Sequence, residues 1–205
     1  MQGGLIDTVI FDMDDVLCDY DREARIRHMA ETTGLAPDAI VAAIWTSGFD
    51  EAADEGDYGP DDYMAETRAR LGVDISKADW AEARRISMTP RPNVLAMARQ
   101  VGERATIACL TNNGLLMREM MPVIFPEAPA LFGERMFFSA ELGAGKPKRE
   151  AFDAVLRRIG GTAAHALFID DSAEYIAGAE AAGLHVHQYQ DEDTLRRTLD
   201  GFGLL

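Results

Sequence analysis

Three short runs of apolar and β-branched residues constrain the fold of this chain more than any other feature. They occupy residues 8–11, 105–110 and 166–169, and polar side chains follow each of them directly. Residues 136–139 and 184–187 have a similar character, and segments with helical spacing lie between the runs. Short buried strands that alternate with helices are typical of parallel sheets with helices on both faces. The sequence therefore predicts an α/β fold with a doubly wound, mainly parallel sheet.

The stretch between the first two of these strands, residues 12–104, is much longer than a parallel crossover requires. Proline, aspartate and glycine at suitable positions indicate helices within it. The predicted helices span residues 21–33, 37–46, 60–71 and 77–87. We therefore expect a core formed by residues 1–17 and 89–205, with a helical cap inserted at residues 18–88.

Composition limits the classes of partner. Charged residues make up 27% of the chain, its formal net charge is −15, and its sequence lacks an apolar run long enough to cross a bilayer. The negative charge repels nucleic acid and anionic lipid, so we expect neither nucleic acid nor a membrane as a partner. Because the first residues lack a basic leader, we expect a cytoplasmic protein. Two cysteines, Cys18 and Cys109, form neither a disulfide framework nor a zinc pattern, so we expect both to be reduced thiols. We expect a monomer or homodimer.

Carboxylates are concentrated where two of the predicted strands end. Asp12, Asp14 and Asp15 follow the first strand, and the pair Asp170 and Asp171 follows the third. A single group of this kind is most often a turn rich in aspartate, but strand ends that meet at one edge of an open sheet are where such sheets bind ligands. Crowded carboxylates repel each other unless they share a proton or a cation. The sequence therefore predicts a shared proton or a hard divalent ion, and oxygen ligands of this kind suit Mg²⁺.

Groups that can hold a phosphate accompany the acids. Thr111 and Asn112 follow the second strand and offer a hydroxyl, amides and a helix start. Lys146 lies on a glycine-containing loop before a further helix and supplies a positive charge. Taken singly, Thr111 is an ordinary turn residue and Lys146 an ordinary exposed lysine. Their order and their position near the strand ends favour a phosphate site instead.

Together these motifs resemble the four motifs of the haloacid dehalogenase-like superfamily, in the family's order and across nearly the whole chain. The matching positions are Asp12 and Asp14, Thr111, Lys146, and the pair Asp170 and Asp171. The insertion after the first motif resembles the family's helical cap. The phrases around Thr111 and Asp170 are similar to the branch that contains glucose-1-phosphate phosphatases and the phosphatase domain of soluble epoxide hydrolase. Asp15 departs from the family, since many members have glycine there, and the sequence leaves its role open.

The resemblance implies a mechanism. Asp12 attacks phosphorus and forms an aspartyl-phosphate, while Asp14 protonates the leaving oxygen and later activates water. Lys146, Thr111 and the amides near Asn112 are expected to contact the phosphate. The implied activity is hydrolysis of a small, sugar-phosphate-like monoester, so the expected partner is a small phosphorylated metabolite.

The same resemblance implies a ligand set for Mg²⁺. A side-chain oxygen of Asp12, the main-chain carbonyl of Asp14 and the Asp171 carboxylate are expected to bind the ion. Asp170 is expected either to bind it through water or to support a ligand.

Other functions remain open on the sequence. A phosphomutase would use the same aspartyl-phosphate, and the motifs do not separate it from a phosphatase. A dehalogenase is less favoured, because the dehalogenases that the chain resembles do not need the second aspartate, Asp14. A non-catalytic binding protein on the same fold is disfavoured because every expected catalytic residue is intact.

An acidic segment lies in the predicted cap. Its acids are Asp50, Glu51, Asp54, Glu55, Asp57, Asp61 and Asp62. A solvated helix face and loop is the favoured interpretation. Alternatively, some of these acids, with Trp45, Phe49 or Tyr58, face the site and bond the hydroxyls of a sugar or polyol leaving group, which would disfavour a second anionic group on the substrate.

Overall fold

The computed structural model describes residues 6–205, so residues 1–5 of the predicted core lie outside the described range. Within residues 6–205 the strands are β1 (Thr8–Phe11), β2 (Cys18–Tyr20), β3 (Met88–Pro90), β4 (Thr106–Thr111), β5 (Met136–Phe138), β6 (Ala166–Asp170) and β7 (His185–Gln188). The α-helices of the same range are α1 (Arg22–Thr33), α2 (Pro37–Val41), α3 (Phe49–Asp54), α4 (Pro60–Leu71), α5 (Lys77–Ile86), α6 (Pro92–Val101), α7 (Leu115–Ile124), α8 (Glu127–Phe132), α9 (Ser139–Leu142), α10 (Arg149–Ile159), α11 (Ala173–Ala181) and α12 (Glu192–Gly201).

Five of the strands form one parallel sheet in the order β5-β4-β1-β6-β7. The central strand β1 pairs with β4 on one side and with β6 on the other. All four of its residues are buried, as expected of a strand covered on both faces. The predicted doubly wound α/β fold is confirmed, and the carboxyl ends of β1, β4 and β6 lie side by side.

Alternate residues of the central strands pack against helices on opposite faces of the sheet. Phe11 faces one layer, where its ring centroid lies 6.1 Å from that of Phe132 on α8. Ile10 faces the other layer, which also contains Phe168 of β6 and Phe152 of α10, with ring centroids 5.1 Å apart. This alternation is what a pleated strand buried on both sides requires. It fixes the direction in which each strand end presents its polar residues.

The helices α1 to α5 lie between β2 and β3, and we call residues 21–87 the helical insertion. The strands β2 and β3, which the sequence analysis did not predict, form an antiparallel pair where the chain enters and leaves this insertion. The segment predicted as one helix at 37–46 is α2 followed by a π-helical turn at Ala42–Thr46. Helix α3 also escaped prediction, because it is short and rich in acids. Among residues 6–205, none of the helices combines the length and apolar character needed to cross a bilayer.

Candidate active site

The polar residues predicted at three strand ends meet at one edge of the sheet. Asp12 follows β1 and its backbone amide donates to the carbonyl of Ile169 on β6, 2.9 Å away. Thr111 is the last residue of β4, and Asp170 is the last residue of β6. Lys146 reaches the same edge from the loop between α9 and α10. The sheet topology therefore brings together residues that lie far apart in the sequence.

Lys146 joins two buried carboxylates at this edge. Its Nζ lies 2.5 Å from Asp12 Oδ1 and 2.7 Å from Asp170 Oδ2. The side chains of Lys146 and Asp170 are 1% and 0% exposed. The single ammonium group of Lys146 cannot neutralise both carboxylates, so this buried cluster carries a net negative charge when both are ionised. Such a site is stable only if a further cation or a proton compensates it.

The pKa values of Asp12 and Lys146 reflect this arrangement. Burial raises the pKa of the Asp12 carboxyl well above its ordinary value; Lys146 opposes this effect and the negative charge of Asp170 adds to it. Burial lowers the pKa of Lys146, but the carboxylates of Asp12 and Asp170 outweigh burial and raise it. Lys146 is therefore a fixed positive charge, whereas the ionisation of Asp12 depends on its neighbours.

Three carboxylates form a group that can hold a cation. Oxygen atoms of Asp12, Asp170 and Asp171 all lie within 4.8 Å of one another. Asp171 is the most exposed of the three, and partial desolvation of its carboxyl, together with the charge of Asp170, raises its pKa. The second oxygen of Asp170 accepts a hydrogen bond of 2.9 Å from the amide of Ser172, which fixes its orientation. Hard oxygen donors that repel one another fit a divalent ion such as Mg²⁺.

Asp14 takes part in a different network, on the side of the helical insertion. Its Oδ2 lies 3.4 Å from Nδ2 of Asn113 and 3.8 Å from a guanidinium nitrogen of Arg84. Asn113 Nδ2 also donates to Thr111 Oγ1 at 2.8 Å, and its Oδ1 accepts from Arg84 at 3.0 Å. Asp14 and Thr111 are thereby linked through one amide side chain.

The side chain of Asn112 holds the loop that carries Lys146. Its Oδ1 accepts from the amide of Lys146 at 2.9 Å, and its Nδ2 donates to the carbonyl of Lys146 at 2.8 Å. Tyr175 of α11 completes this side of the site, with Lys146 Nζ lying 4.8 Å from the centre of its ring. The side chain of Asn112, predicted to bind substrate, is thus engaged with the protein itself.

Asp15 has a structural position in the turn after Asp12. Its φ is 60°, a left-handed conformation that aspartate tolerates better than most residues. Its Oδ1 accepts from the amide of Tyr20 at 3.1 Å, and its carbonyl accepts from the guanidinium of Arg91. The left-handed turn explains why glycine is suited to this position. The Asp15 side chain also has a structural role that the sequence left open, because it holds the amide of Tyr20 at the end of β2.

A cleft of about 530 Å³ lies between the helical insertion and the sheet edge. The core lines it with Asn112, Ser139, Gly145, Lys146, Pro147, Lys148, Glu174 and Tyr175. The insertion lines it with Arg22, Trp45, Asp50, Glu51, Asp54 and Glu55. Lys148 Nζ lies 3.0 Å from Glu55 Oε1, so an exposed ion pair joins the two sides.

The acidic segment is therefore divided between two roles. Four of its seven acids line the cleft, whereas Asp57, Asp61 and Asp62 are exposed outside that lining. Trp45 lines the cleft as the alternative interpretation required, but Phe49 is buried against Tyr63, with ring centroids 4.7 Å apart. The favoured interpretation of a solvated face therefore describes only part of the segment. It does not describe the end nearest the site.

Among the acids that line the cleft, Asp54 has a carboxyl group with a strongly raised pKa. Burial and the charge of Asp50 raise the pKa of the Asp54 carboxyl to about 8, while Arg84 and Arg25 lower it. Its carbonyl accepts a 2.6 Å hydrogen bond from Ser139 Oγ, which ties α3 to the core. A carboxyl group with this pKa carries a proton at neutral pH in much of the population.

Sequence reasoning missed four residues of this site, namely Arg84, Asn113, Ser139 and Tyr175. Arg84 and Ser139 gave no signal, because each lies far from the motifs along the chain and a lone arginine or serine is ordinary. Asn113 adjoins a recognised motif, so its polar character beside Thr111 was a usable signal. Arg84, Ser139 and Tyr175 join the site through contacts between segments that are distant in the sequence.

The fold and the site together define an α/β protein with an acidic, lysine-containing centre at the carboxyl edge of its parallel sheet. The family model of the haloacid dehalogenase-like hydrolases matches residues 6–183. The chain belongs to this family, so the membership expected from the motifs is confirmed.

Known proteins similar to this chain agree with the assignment. Phosphatase MT3486 of Mycobacterium tuberculosis is 27% identical over 98% of this chain and 96% of its own length. A structure of a predicted HAD-like family hydrolase from Porphyromonas gingivalis shares the fold with a TM-score of 0.80 at 19% identity, covering 96% of this chain and 98% of that one. The HAD family enzyme bt-2542 of Bacteroides thetaiotaomicron, in a complex with magnesium and inorganic phosphate, has a TM-score of 0.78 at 20% identity, covering 90% and 94%.

Proposed function

We propose that this chain is a Mg²⁺-dependent phosphatase that hydrolyses a small phosphate monoester through an aspartyl-phosphate on Asp12. The observation that carries the proposal is the contact of Lys146, which lines the cleft, with both Asp12 and Asp170. A buried nucleophilic carboxylate that is held by a cation suits attack on an anionic phosphate. The similarity to a mycobacterial phosphatase and to an enzyme that binds magnesium and phosphate supports the same reaction.

The first half of the reaction would transfer the phosphoryl group to Asp12. The Asp12 carboxylate attacks phosphorus in line with the leaving oxygen. Lys146 neutralises the phosphoryl oxygens, and the Thr111 hydroxyl donates a hydrogen bond to them. Asp14 protonates the leaving oxygen as the ester bond breaks.

The second half would return Asp12 to its free state. Asp14, now a carboxylate, takes a proton from water, and this water attacks phosphorus to release inorganic phosphate. Asp12, Asp170, Asp171 and the main-chain carbonyl of Asp14 are the groups that would hold Mg²⁺. When bound, the ion supplies positive charge that offsets the repulsion between the Asp12 carboxylate and the phosphate. Water activation and proton transfer belong to Asp14.

The helical insertion would act as a cap, with its boundaries near residues 18 and 88, that covers the site and contacts the leaving group. Asp50, Glu51 and Asp54 line the insertion side of the cleft, together with Trp45. Carboxyl and carboxylate groups form hydrogen bonds with hydroxyl groups. We therefore assign the leaving group to the neutral sugars and polyols.

The test is the release of inorganic phosphate by the purified protein with and without Mg²⁺. p-Nitrophenyl phosphate serves as the first substrate, followed by a panel of sugar, nucleotide and small-acid phosphates. The proposal expects Mg²⁺-dependent release from p-nitrophenyl phosphate and the fastest turnover among sugar and polyol phosphates. Transfer of the phosphoryl group to a second position of the sugar, without release, would instead identify a phosphomutase. Absence of either reaction with Mg²⁺ present would contradict the proposal.

A further inference from the structure

We infer that Arg84, a buried arginine of the helical insertion, is a positioning residue for Asp14 and, through Asn113, for Thr111. The inference rests on the proposed phosphatase reaction and assigns part of its acid–base machinery to the insertion. Arg84 lies on α5 and its side chain is 4% exposed. Its guanidinium reaches the site from the helical insertion, whereas Asp14 and Thr111 reach it from the sheet strands.

The contacts of Arg84 are few and directional. One terminal nitrogen donates to Asn113 Oδ1 at 3.0 Å, and Nε faces Met117 Sδ at 3.3 Å, a weak acceptor. The same terminal nitrogen lies 3.8 Å from Asp14 Oδ2, too far for a direct hydrogen bond but close enough for a strong charge interaction. The ring of Tyr20 covers the guanidinium at 5.0 Å. Asn113 is thus the strong hydrogen-bond acceptor for a desolvated cation.

This contact determines the orientation of the Asn113 amide. A guanidinium can only donate hydrogen bonds, so Asn113 must turn its oxygen towards Arg84. Its NH₂ group then faces the other way, towards Thr111 Oγ1 at 2.8 Å and Asp14 Oδ2 at 3.4 Å. Arg84 therefore favours the orientation in which the NH₂ end of the Asn113 amide faces Thr111 and Asp14.

The orientation of the amide has consequences for both groups. When Thr111 Oγ1 accepts from Asn113, its own hydrogen remains free to be donated to a phosphoryl oxygen. The same NH₂ group presents positive character to Asp14. In the flipped orientation the Thr111 hydroxyl would donate to Asn113 Oδ1, and that oxygen would face the Asp14 carboxylate. Arg84 and the Asp14 carboxylate both disfavour the flipped state, and the contribution of Arg84 requires α5 to be docked on the core.

The experiment compares Arg84→Met with the control Arg85→Met. Arg85 is the next residue of α5, is half exposed, and pairs with Glu82 on the surface. For each variant, kcat/KM is measured with Mg²⁺ for p-nitrophenyl phosphate and for an alkyl phosphate. The alkyl leaving group requires protonation by Asp14, whereas p-nitrophenolate leaves without it. The proposal expects Arg84→Met to lower kcat/KM for the alkyl phosphate at least about tenfold more than for p-nitrophenyl phosphate. Arg85→Met is expected to lower neither.

A second variant covers the case in which Arg84→Met fails to fold. Asn113→Asp retains an acceptor for Arg84, so the buried guanidinium stays paired, but an anionic oxygen replaces the donor to Thr111 and Asp14. We expect the same unequal loss of kcat/KM for the two substrates. The far-ultraviolet circular dichroism spectrum should equal that of the parent protein. Equal losses for the two substrates in both variants would overturn the link between Arg84 and Asp14, and no loss in either variant would overturn the whole inference. A parent protein that hydrolyses neither substrate with Mg²⁺ would instead refute the proposed function itself.

Discussion

Lys146 Nζ lies 2.5 Å from Asp12 Oδ1, although the two residues are separated by most of the chain. Both side chains are almost completely buried, and Asp170 lies on the other side of the ammonium group. A buried charge that loses its partner is strongly destabilising. This contact therefore has consequences for stability that can be measured apart from any reaction.

Lys146→Met is expected to lower the free energy of unfolding of the metal-free protein by roughly 3 to 5 kcal/mol. The substitution leaves the carboxylates of Asp12 and Asp170 facing each other without their cation. Urea denaturation at neutral pH measures the change. Lys148→Met is the matched control, because Lys148 is 58% exposed and its ion pair with Glu55 lies at the surface. A loss in Lys146→Met no larger than that of the control would contradict the buried ion triad.

Mg²⁺ is expected to stabilise the folded protein, because it relieves the repulsion among Asp12, Asp170 and Asp171. A free Mg²⁺ concentration of a hundred times the dissociation constant raises the free energy of unfolding by about 2.7 kcal/mol. Thermal unfolding at increasing Mg²⁺ concentration measures the effect. Asp171→Asn removes one carboxylate of the group and is expected to shift the midpoint of the titration to higher Mg²⁺ concentration. Asp200→Asn, an exposed acid near the end of α12, is expected to leave the titration unchanged.

The sheet and the acidic centre could be predicted because their signals are local. The run at Thr8–Phe11 is apolar or β-branched throughout, and the helix predicted at 60–71 begins at a proline and is followed by a glycine, so both were predicted with their observed bounds. The division of the chain into core and cap stays a prediction. Helix α3 was missed because it is short and rich in acids and buries only Phe49 and Ala53. Arg84 was missed because its role depends on the docking of α5, a contact between segments distant in sequence.

Asp54 should make the stability of the protein depend on pH between the ordinary carboxyl range and about 8. Its pKa is raised in the folded state, chiefly by burial, so the folded protein holds this proton more tightly than the unfolded chain does. The stabilisation from the bound proton is complete below the unfolded pKa and is lost as the pH rises through about 8. Asp54→Asn does not titrate there. Its free energy of unfolding, relative to the parent protein, should therefore rise steadily across this window in urea denaturation series; a constant difference would contradict the raised pKa.

A second phosphate on the substrate should reduce turnover, because acids of the insertion line the cleft. Glucose-1-phosphate is expected to have a higher kcat/KM than a sugar bisphosphate. Glu51→Gln removes one of these charges and should narrow the difference between the two substrates. Asp62→Asn, a change in the same acidic segment but outside the cleft lining, should leave the difference unchanged. Faster turnover of the bisphosphate by the parent protein would rule out the proposed leaving-group class.

The central claim, that Asp12 carries the phosphoryl group, is tested most directly by mass spectrometry of acid-quenched protein during turnover of p-nitrophenyl phosphate with Mg²⁺. Asp14→Asn is the form of choice, because p-nitrophenolate leaves without an acid whereas water activation requires Asp14. The intermediate should therefore accumulate. The account predicts the added mass of one phosphoryl group on the peptide that contains Asp12, and its complete loss together with turnover in Asp12→Asn. An unmodified Asp12 peptide in Asp14→Asn, with Asp12→Asn still turning over at the parent rate, would contradict it.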